Sequence, residues 1–258
     1  MIIRLLSAKI TCFILWLFAS AAALGQPKKV DNPSFSKQAI LLNINYKFQV
    51  PAADLSKRFG ISSGLGFQLM MKTKNNWLFG TDLTFIFGRT VHDTSVLNNL
   101  KDSKGYVFDV TGQPLNVSLA MRGLKADIKV GRLFQVGGKT SNLALGGTFG
   151  LGFLQHRIAP TAGLNVVQLN GEYRKGYDRM CNGLALNQFL GIYHLDRWRL
   201  INFYAGLDFT QGFTQNRRSW DYVLMKADSD KRLDIIWGIR TGWILPIYSK
   251  KGEVKYYK

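Results

Sequence analysis

The sequence predicts an all-β chain folded as an eight-stranded antiparallel up-and-down transmembrane β-barrel. Three observations carry this. Segments of the chain alternate large apolar with small or polar side chains, the period of a strand with two unlike faces. Connections between those segments are alternately short and long, as outer-membrane barrels require. No stretch after residue 25 holds the ~18 or more consecutive apolar residues that a membrane-spanning helix needs.

Residues 1–25 read as a secretory signal peptide. Arg4 and Lys9 precede an apolar stretch, Ile10 to Ala19, and the small-residue segment Ser20 to Gly25 puts Ala23 and Gly25 at the −3 and −1 cleavage positions. At roughly 10 to 15 residues the apolar run falls short of the about 20 that span a bilayer. Cys12 comes too early in this leader to be a lipid-modification site. The expected organisation is then a periplasmic N-terminal segment at 26–37, a barrel at 38–248 and a short periplasmic tail at 249–258.

The first strand sets Leu42, Ile44, Tyr46, Phe48 and Val50 against Asn43, Asn45, Lys47 and Gln49. The second sets Leu65, Phe67, Leu69 and Met71 against Gly66, Gln68, Met70 and Lys72, and a turn at Thr73 to Asn76 leads to the third, Trp77 to Gly88. The fourth opposes Leu124, Ala126, Ile128 and Val130 to Lys125, Asp127, Lys129 and Gly131. In the fifth, Leu143, Leu145, Phe149, Leu151 and Phe153 face away from Ala144, Gly146, Thr148, Gly150 and Gly152. The sixth, about Asn182 to Tyr193, is less regular; the seventh spans Ile201 to Thr210 and the eighth Leu233 to Trp243. Connections near 73–76, 137–142 and 195–199 are short, whereas those near 51–60, 89–123, 155–181 and 213–232 are long and polar. The short rim, with both termini, is expected on the periplasmic side. Whether 104–121 forms a hairpin above the membrane is left open.

A soluble barrel would turn the Leu and Phe row of the fifth strand inward and show water a face of glycine and alanine, a poor surface for solubility. A membrane barrel turns the same row into lipid and the small residues into a narrow lumen, with every backbone group satisfied by closure. Trp77 beside a short turn and Trp243 near the end of the last strand fit an interfacial aromatic girdle; the alternative is ordinary strand packing.

Charged residues fall on the lumen face: Lys47, Asp82, Lys125, Asp127, Lys129, Asp208, Asp234 and Arg240. Isolated charges there are costly, so an ion-pair network of Asp82, Lys125, Asp127, Lys129, Asp208 and Arg240 is expected, with Asp82 near Lys125 or Lys129 and Asp208 near Arg240. An eight-stranded barrel is just wide enough for its own side chains to fill, which favours a plug over a pore.

The formal charge of +18 falls by two to +16 once Arg4 and Lys9 are removed, since the leader has no acidic residue. For an exported chain this charge points to outer-membrane lipids and lipopolysaccharide phosphates or acidic glycans, not nucleic acid; the plainer reading is solvated loops. Tyr173, Arg174, Lys175, Tyr177 and Arg179 in the third long loop, with Arg217, Arg218 and Trp220 in the fourth, form the candidate extracellular binding surface.

No catalytic, cofactor or metal site is expected. The VGGKT segment at 136–140 ends like a phosphate loop but lacks the first glycine, which falls at Leu133, and no helix pattern follows. Cys181 is the one cysteine after the leader. A lipid-modifying enzyme with a rim site would need a histidine base: His194 lies near a short turn, leaving His92 and His156, and the run His92, Asp93, Thr94, Ser95 has suitable residue types but not the spatial arrangement of a triad.

Strand count, lumen pattern and loop asymmetry resemble the OmpA/OmpX-like barrel class. The Gln26 start after Gly25, the LGGTFGLGF strand at 145–153 and the aromatics Tyr256 and Tyr257 look like the PorT-like small barrels of Bacteroidota, although Lys258 departs from the usual terminal aromatic. That resemblance implies an integral outer-membrane protein with a link to secretion. The functional expectation is a non-catalytic barrel with basic extracellular loops, serving envelope structure or anchoring envelope or secretion-complex proteins; the alternatives are the rim enzyme and a narrow solute channel. Oligomeric state is not indicated.

Overall fold

A computed structural model describes residues 33–138, 140–161, 166–196 and 201–248. Residues 1–25, expected to be a signal peptide, most of the 26–37 segment, Lys139 of the second short turn, residues 197–200 of the third, and the 249–258 tail with its closing aromatics lie outside these. A four-residue helix, α1 (Pro33–Ser36), leads into β1 (Ala39–Ala53). Then follow β2 (Ser62–Lys72), β3 (Trp77–Gly88), the two-residue strands β4 (Val107–Phe108) and β5 (Pro114–Leu115), β6 (Ser118–Gln135), β7 (Leu143–Thr161), β8 (Cys181–Leu195), β9 (Asn202–Asn216) and β10 (Lys231–Tyr248). Eight of these close a barrel in the order β1-β10-β9-β8-β7-β6-β3-β2, every pair antiparallel. Strands β4 and β5 form a separate small hairpin. It sits inside the 104–121 segment and does not lengthen the barrel wall; Ser118 to Met121 belong to β6.

The alternation places side chains as the pattern requires. Ile44, Leu69, Ile128, Leu151, Leu184, Leu207 and Ile239 stand exposed on the outside, while Asn43, Lys47, Asp82, Asn187 and Arg240 on the opposite faces are buried in the lumen. An exterior of Leu, Ile and Phe around a closed ladder is the surface that hydrocarbon covers. On β9 it runs from Phe203 to Phe213; the ten steps between them, at about 3.4 Å each and a tilt of about 40°, span roughly 26 Å, against an apolar belt of about 25 Å. Trp77 and Trp243 face outward on the turn side, and the Arg132 guanidinium lies 5.3 Å from the Trp77 ring.

Several strands outrun their sequence-read limits. β7 continues from 153 to 161, β9 from 210 to 216, and β6 begins at 118 instead of 124, so that the polar ends read as loop are ladder. Above the apolar belt the outward residues are polar, which erases the alternation while the hydrogen-bonded pairing continues. The short turns are tight: Asn76 adopts a left-handed φ of 62° and Gly137 and Gly138 take 87° and 89°, a region glycine enters freely.

Inside, the lumen is filled in tiers. On the turn side Phe35, Leu41, Met70, Leu78, Leu133, Phe189, Tyr193, Tyr204 and Ile244 pack together, the Tyr193 and Tyr204 rings stacked at 5.1 Å with Phe189 edge-on to both. The Lys72 ammonium donates to the carbonyls of Phe35 (2.9 Å) and Lys37 (2.8 Å), tying α1 and the chain after it to β2. A charged tier occupies mid-height. On the loop side a second apolar cluster joins Ile86, Met121, Leu154, Ile158 and Ile236 of the strands to Leu55, Phe59, Val96, Leu97, Val107, Val166, Leu169 and Tyr177 of the loops and the small hairpin.

Candidate functional site

The charged tier is built by long cations reaching across glycines. Like charges face each other on neighbouring strands, Lys47 opposite Arg240 and Asp82 opposite Asp127, an arrangement that destabilises a sheet unless other strands supply counter-charges. The facing residue of Lys47 on β2 is Gly64, so Lys47 passes over β2 to Asp82 (3.2 Å) and Thr84 (2.6 Å) on β3. Lys129 faces Gly150 and reaches past β7 to Asn187 on β8 (2.7 Å), while also holding Asp82 (2.7 Å). Lys125 pairs with Asp127 (3.1 Å). Arg240, opposite Gly206, is bonded to Asp208, lies 3.5 Å from Asp82 and rests over the Phe189 ring at 4.8 Å. The structure therefore brings together all six residues of the expected network and adds Lys47 to them. Among the described residues of this tier four cations meet three carboxylates, and Asn187, Thr84 and Thr210 supply the remaining hydrogen bonds.

Above this tier the last of the expected lumen charges, Asp234, accepts from His156 Nε2 (2.7 Å), from the Thr214 hydroxyl and from Arg58 Nη2 (3.5 Å). Cys181 lies opposite His156 in the ladder and accepts from Arg58 Nη1 at 3.1 Å. His156 is fully buried beneath the Phe59 ring, so it holds a structural network together below the loops. His92 Nδ1 lies 2.9 Å from the Ser56 carbonyl. Asp93 and Ser95, its neighbours, bind each other and Arg179. His194 stacks on Phe203 at 5.1 Å. The VGGKT glycines form the turn between β6 and β7, with a strand and no helix after it.

Seven of the eight residues of the expected binding surface divide into two groups, and Arg174 joins neither. Tyr177 is buried against Tyr222, Arg179 bridges Asp93 and Asp221, and Arg218 is clamped by Asp178; these hold the loops to one another. Burial acts to raise the Asp93 carboxyl, but the Ser95 hydroxyl and the Arg179 charge outweigh it and leave the group below its ordinary range. The bond to Asp178 raises the Arg218 guanidinium further above its usual value. Tyr173, Lys175, Arg217 and Trp220, with Arg218 behind them, line a groove of about 370 Å³ between the third and fourth long loops, floored by Gly176 and Tyr222. Arg174 is exposed and does not line it. A β-carbon on Gly176 would collide with the Tyr222 ring, so glycine there lets the two loops close. A second groove of about 560 Å³ opens on the outer wall between β9 and β10, lined by Phe213, Gln215, Arg217, Lys231, Leu233 and Asp54. Sequence reasoning missed it, although the apolar-to-basic change along both strands at residues 213–217 and 231–233 was there to be read.

Fold and interior define a closed, lipid-facing, eight-stranded barrel whose lumen is packed with its own side chains. No protein-family model matches the chain, and no curated protein sequence does. Among solved structures it is similar to the outer membrane protein OprG from Pseudomonas aeruginosa, at 11% identity over 83% of this chain and 99% of that one, with a TM-score of 0.44. It is likewise similar to Neisserial surface protein A (11% identity, 78% and 95% covered, TM-score 0.39). A third is Ail, the attachment invasion locus protein of Yersinia pestis (10%, 81% and 99%, 0.38). The strand count and closure given above rest on the ladders of this chain itself.

Proposed function

We propose that the chain is a non-catalytic, integral outer-membrane barrel that serves envelope structure or anchors a protein complex through its loops, with the link to secretion that its resemblance to PorT-like barrels implies. The observation that carries this reading is the lumen, filled from rim to rim by an aromatic plug, a charged tier and a loop-built cap. A barrel closed in this way has its working surface outside, on loops that Arg179 and Arg218 draw into one ordered platform. Purified, folded chain in planar bilayers is expected to give no conductance above bare lipid; robust single-channel steps overturn the reading in favour of a channel. Pull-down from the native outer membrane is expected to recover envelope or secretion-complex proteins. Replacing His92 and His156 is expected to leave the lipid composition of that membrane unchanged, and a changed composition supports the rim enzyme instead.

A further inference from the structure

We propose that the outer wall between β9 and β10 at the loop rim seats one phosphorylated glycolipid, its acyl chain on Phe213 and Leu233, its phosphate on Lys231 and Arg217, and its sugar turned over the rim toward Trp220. The inference rests on the membrane-facing reading of the barrel and deepens it by naming a ligand class.

Height comes first. Phe213 and Leu233 are paired across the ladder and both face outward, at the upper edge of the apolar belt. The next outward pair, two residues higher, is Gln215 with Lys231. Two strand residues are about 7 Å, so the ammonium of Lys231 stands where the hydrocarbon gives way to headgroups, and Arg217, just past the end of β9 and four residues beyond Phe213, stands a step higher. A lipid there presents an apolar chain below and an anion above, the order in which the wall presents Phe and Leu below and Lys and Arg above.

Charge comes second. Among the described residues Lys231 has no ion-pair partner. Arg217 spends Nε on Asn182 (2.7 Å), and its backbone N–H bonds the Met180 carbonyl (2.9 Å), which fixes the stem and leaves the terminal amino groups without a partner among those residues. The one carboxylate lining the wall groove, Asp54, is already satisfied by Lys57 (2.8 Å) and the Leu233 N–H (3.0 Å). Two uncompensated cations at the rim, Arg217 held by its stem and Lys231 exposed beside it, attract a phosphate, and a guanidinium binds one through paired N–H donors.

Arg217 also lines the rim groove, where Trp220 and Tyr173 are exposed aromatics beside Lys175, whose ammonium is paired with Glu172 of the same groove. An aromatic face next to the Arg217 guanidinium, which lines both grooves, fits a sugar carrying phosphate.

The test uses the full chain in nanodiscs, with lipid retention read by native mass spectrometry. Four probes are compared: a bisphosphorylated, acylated glucosamine disaccharide, the same lipid without phosphates, the deacylated bisphosphorylated sugar, and phosphatidylglycerol. The first is expected to be retained at least about tenfold more tightly than each of the others, a difference of roughly 1.4 kcal/mol per decade. Arg217→Ala with Lys231→Ala should abolish that preference, and Phe213→Ser should weaken the acylated probe while leaving the deacylated sugar unchanged. Equal retention of the dephosphorylated lipid, of phosphatidylglycerol or of the deacylated sugar overturns the proposal, and so does a folded double variant that keeps the preference. Folding of variants is checked by heat-dependent gel mobility, and the probe comparison on the parent chain stands if a variant misfolds. A conducting barrel that keeps the preference removes the sealed-lumen reading and leaves the lipid seat standing; a sealed barrel without the preference does the reverse.

Discussion

The two ends of the lumen are closed by different means. On the turn side, Phe189, Tyr193, Tyr204 and Leu133 come from the strands themselves, held in register by the barrel ladder. On the loop side, Leu55, Phe59, Val96, Leu97, Val166 and Tyr177 come from the loops, and Arg179 and Arg218 hold those loops together through Asp93, Asp221 and Asp178. The first closure cannot open unless the barrel does. The second is free to open locally, because its residues are bound to the wall by side chains and isolated backbone bonds, such as Ile158 N–H to the Asp178 carbonyl (2.8 Å), and not by a ladder.

The charged tier between them gives the largest expected effect. Arg240→Met leaves Asp208 without its cation and removes one of three from Asp82, at a cost of about 3–5 kcal/mol in reversible denaturant unfolding from lipid. Lys47→Met removes the surplus positive charge while Asp82 keeps Lys129 and Arg240, and should cost about 1 kcal/mol or less. Equal costs would mean that the tier is not organised around Arg240. Tyr204→Ala, in the strand-built plug, should lower global stability by about 3 kcal/mol.

Arg179→Ala tests the other end. It strands Asp93 and Asp221, and the loss of about 1–3 kcal/mol should register as faster hydrogen exchange in 93–97, 166–178 and 221–223 with the barrel ladder unchanged. A fall in global stability as large as that of Tyr204→Ala would erase the distinction between the two ends. The smallest effect is that of pH. Asp93 and Asp228 both sit below the ordinary carboxylate value of 3.8, burial being outweighed by Ser95 and Arg179 for the first and by Arg232 and Asn216 for the second. A lowered folded-state value means that the stabilisation is fully present above pH 3.8 and drains away as pH falls from there through the lowered values. Loop protection factors, with the intrinsic pH dependence of amide exchange divided out, should therefore fall below about pH 4 before those of the ladder.

The same contrast decides what was legible in the sequence. Strand period and facing glycines are local signals, so the outward row of β7, the inward Asp82, Lys129 and Arg240 and the turn at Gly137 could all be read from neighbours in the chain. Lys47 was legible as a lumen charge, but its reach over Gly64 to a strand two positions away needed the closed ring. The loop cap has no period at all: Leu55, Val96, Val166 and Tyr177 converge from separate segments, and nothing about Tyr177 or Arg179 taken singly distinguishes a packed residue from a solvent-facing one. His156 was nearer to being readable, since Leu154, His156 and Ile158 continue the inward face of β7 past the point where the outward face turns polar.

The seam between β1 and β10 has a consequence for biogenesis. β1 pairs with β10 along its whole length, Ala39 beside Tyr248 and Ala53 beside Asp234. Until they meet, two rows of bare amides and carbonyls would stand in oil, each group at a cost of several kcal/mol. A half-inserted sheet thus has no resting place in the bilayer. Burial of the sheet in hydrocarbon is therefore coupled to the meeting of its first and last strands, and a polypeptide cut within β10 would keep an open edge that closure cannot satisfy.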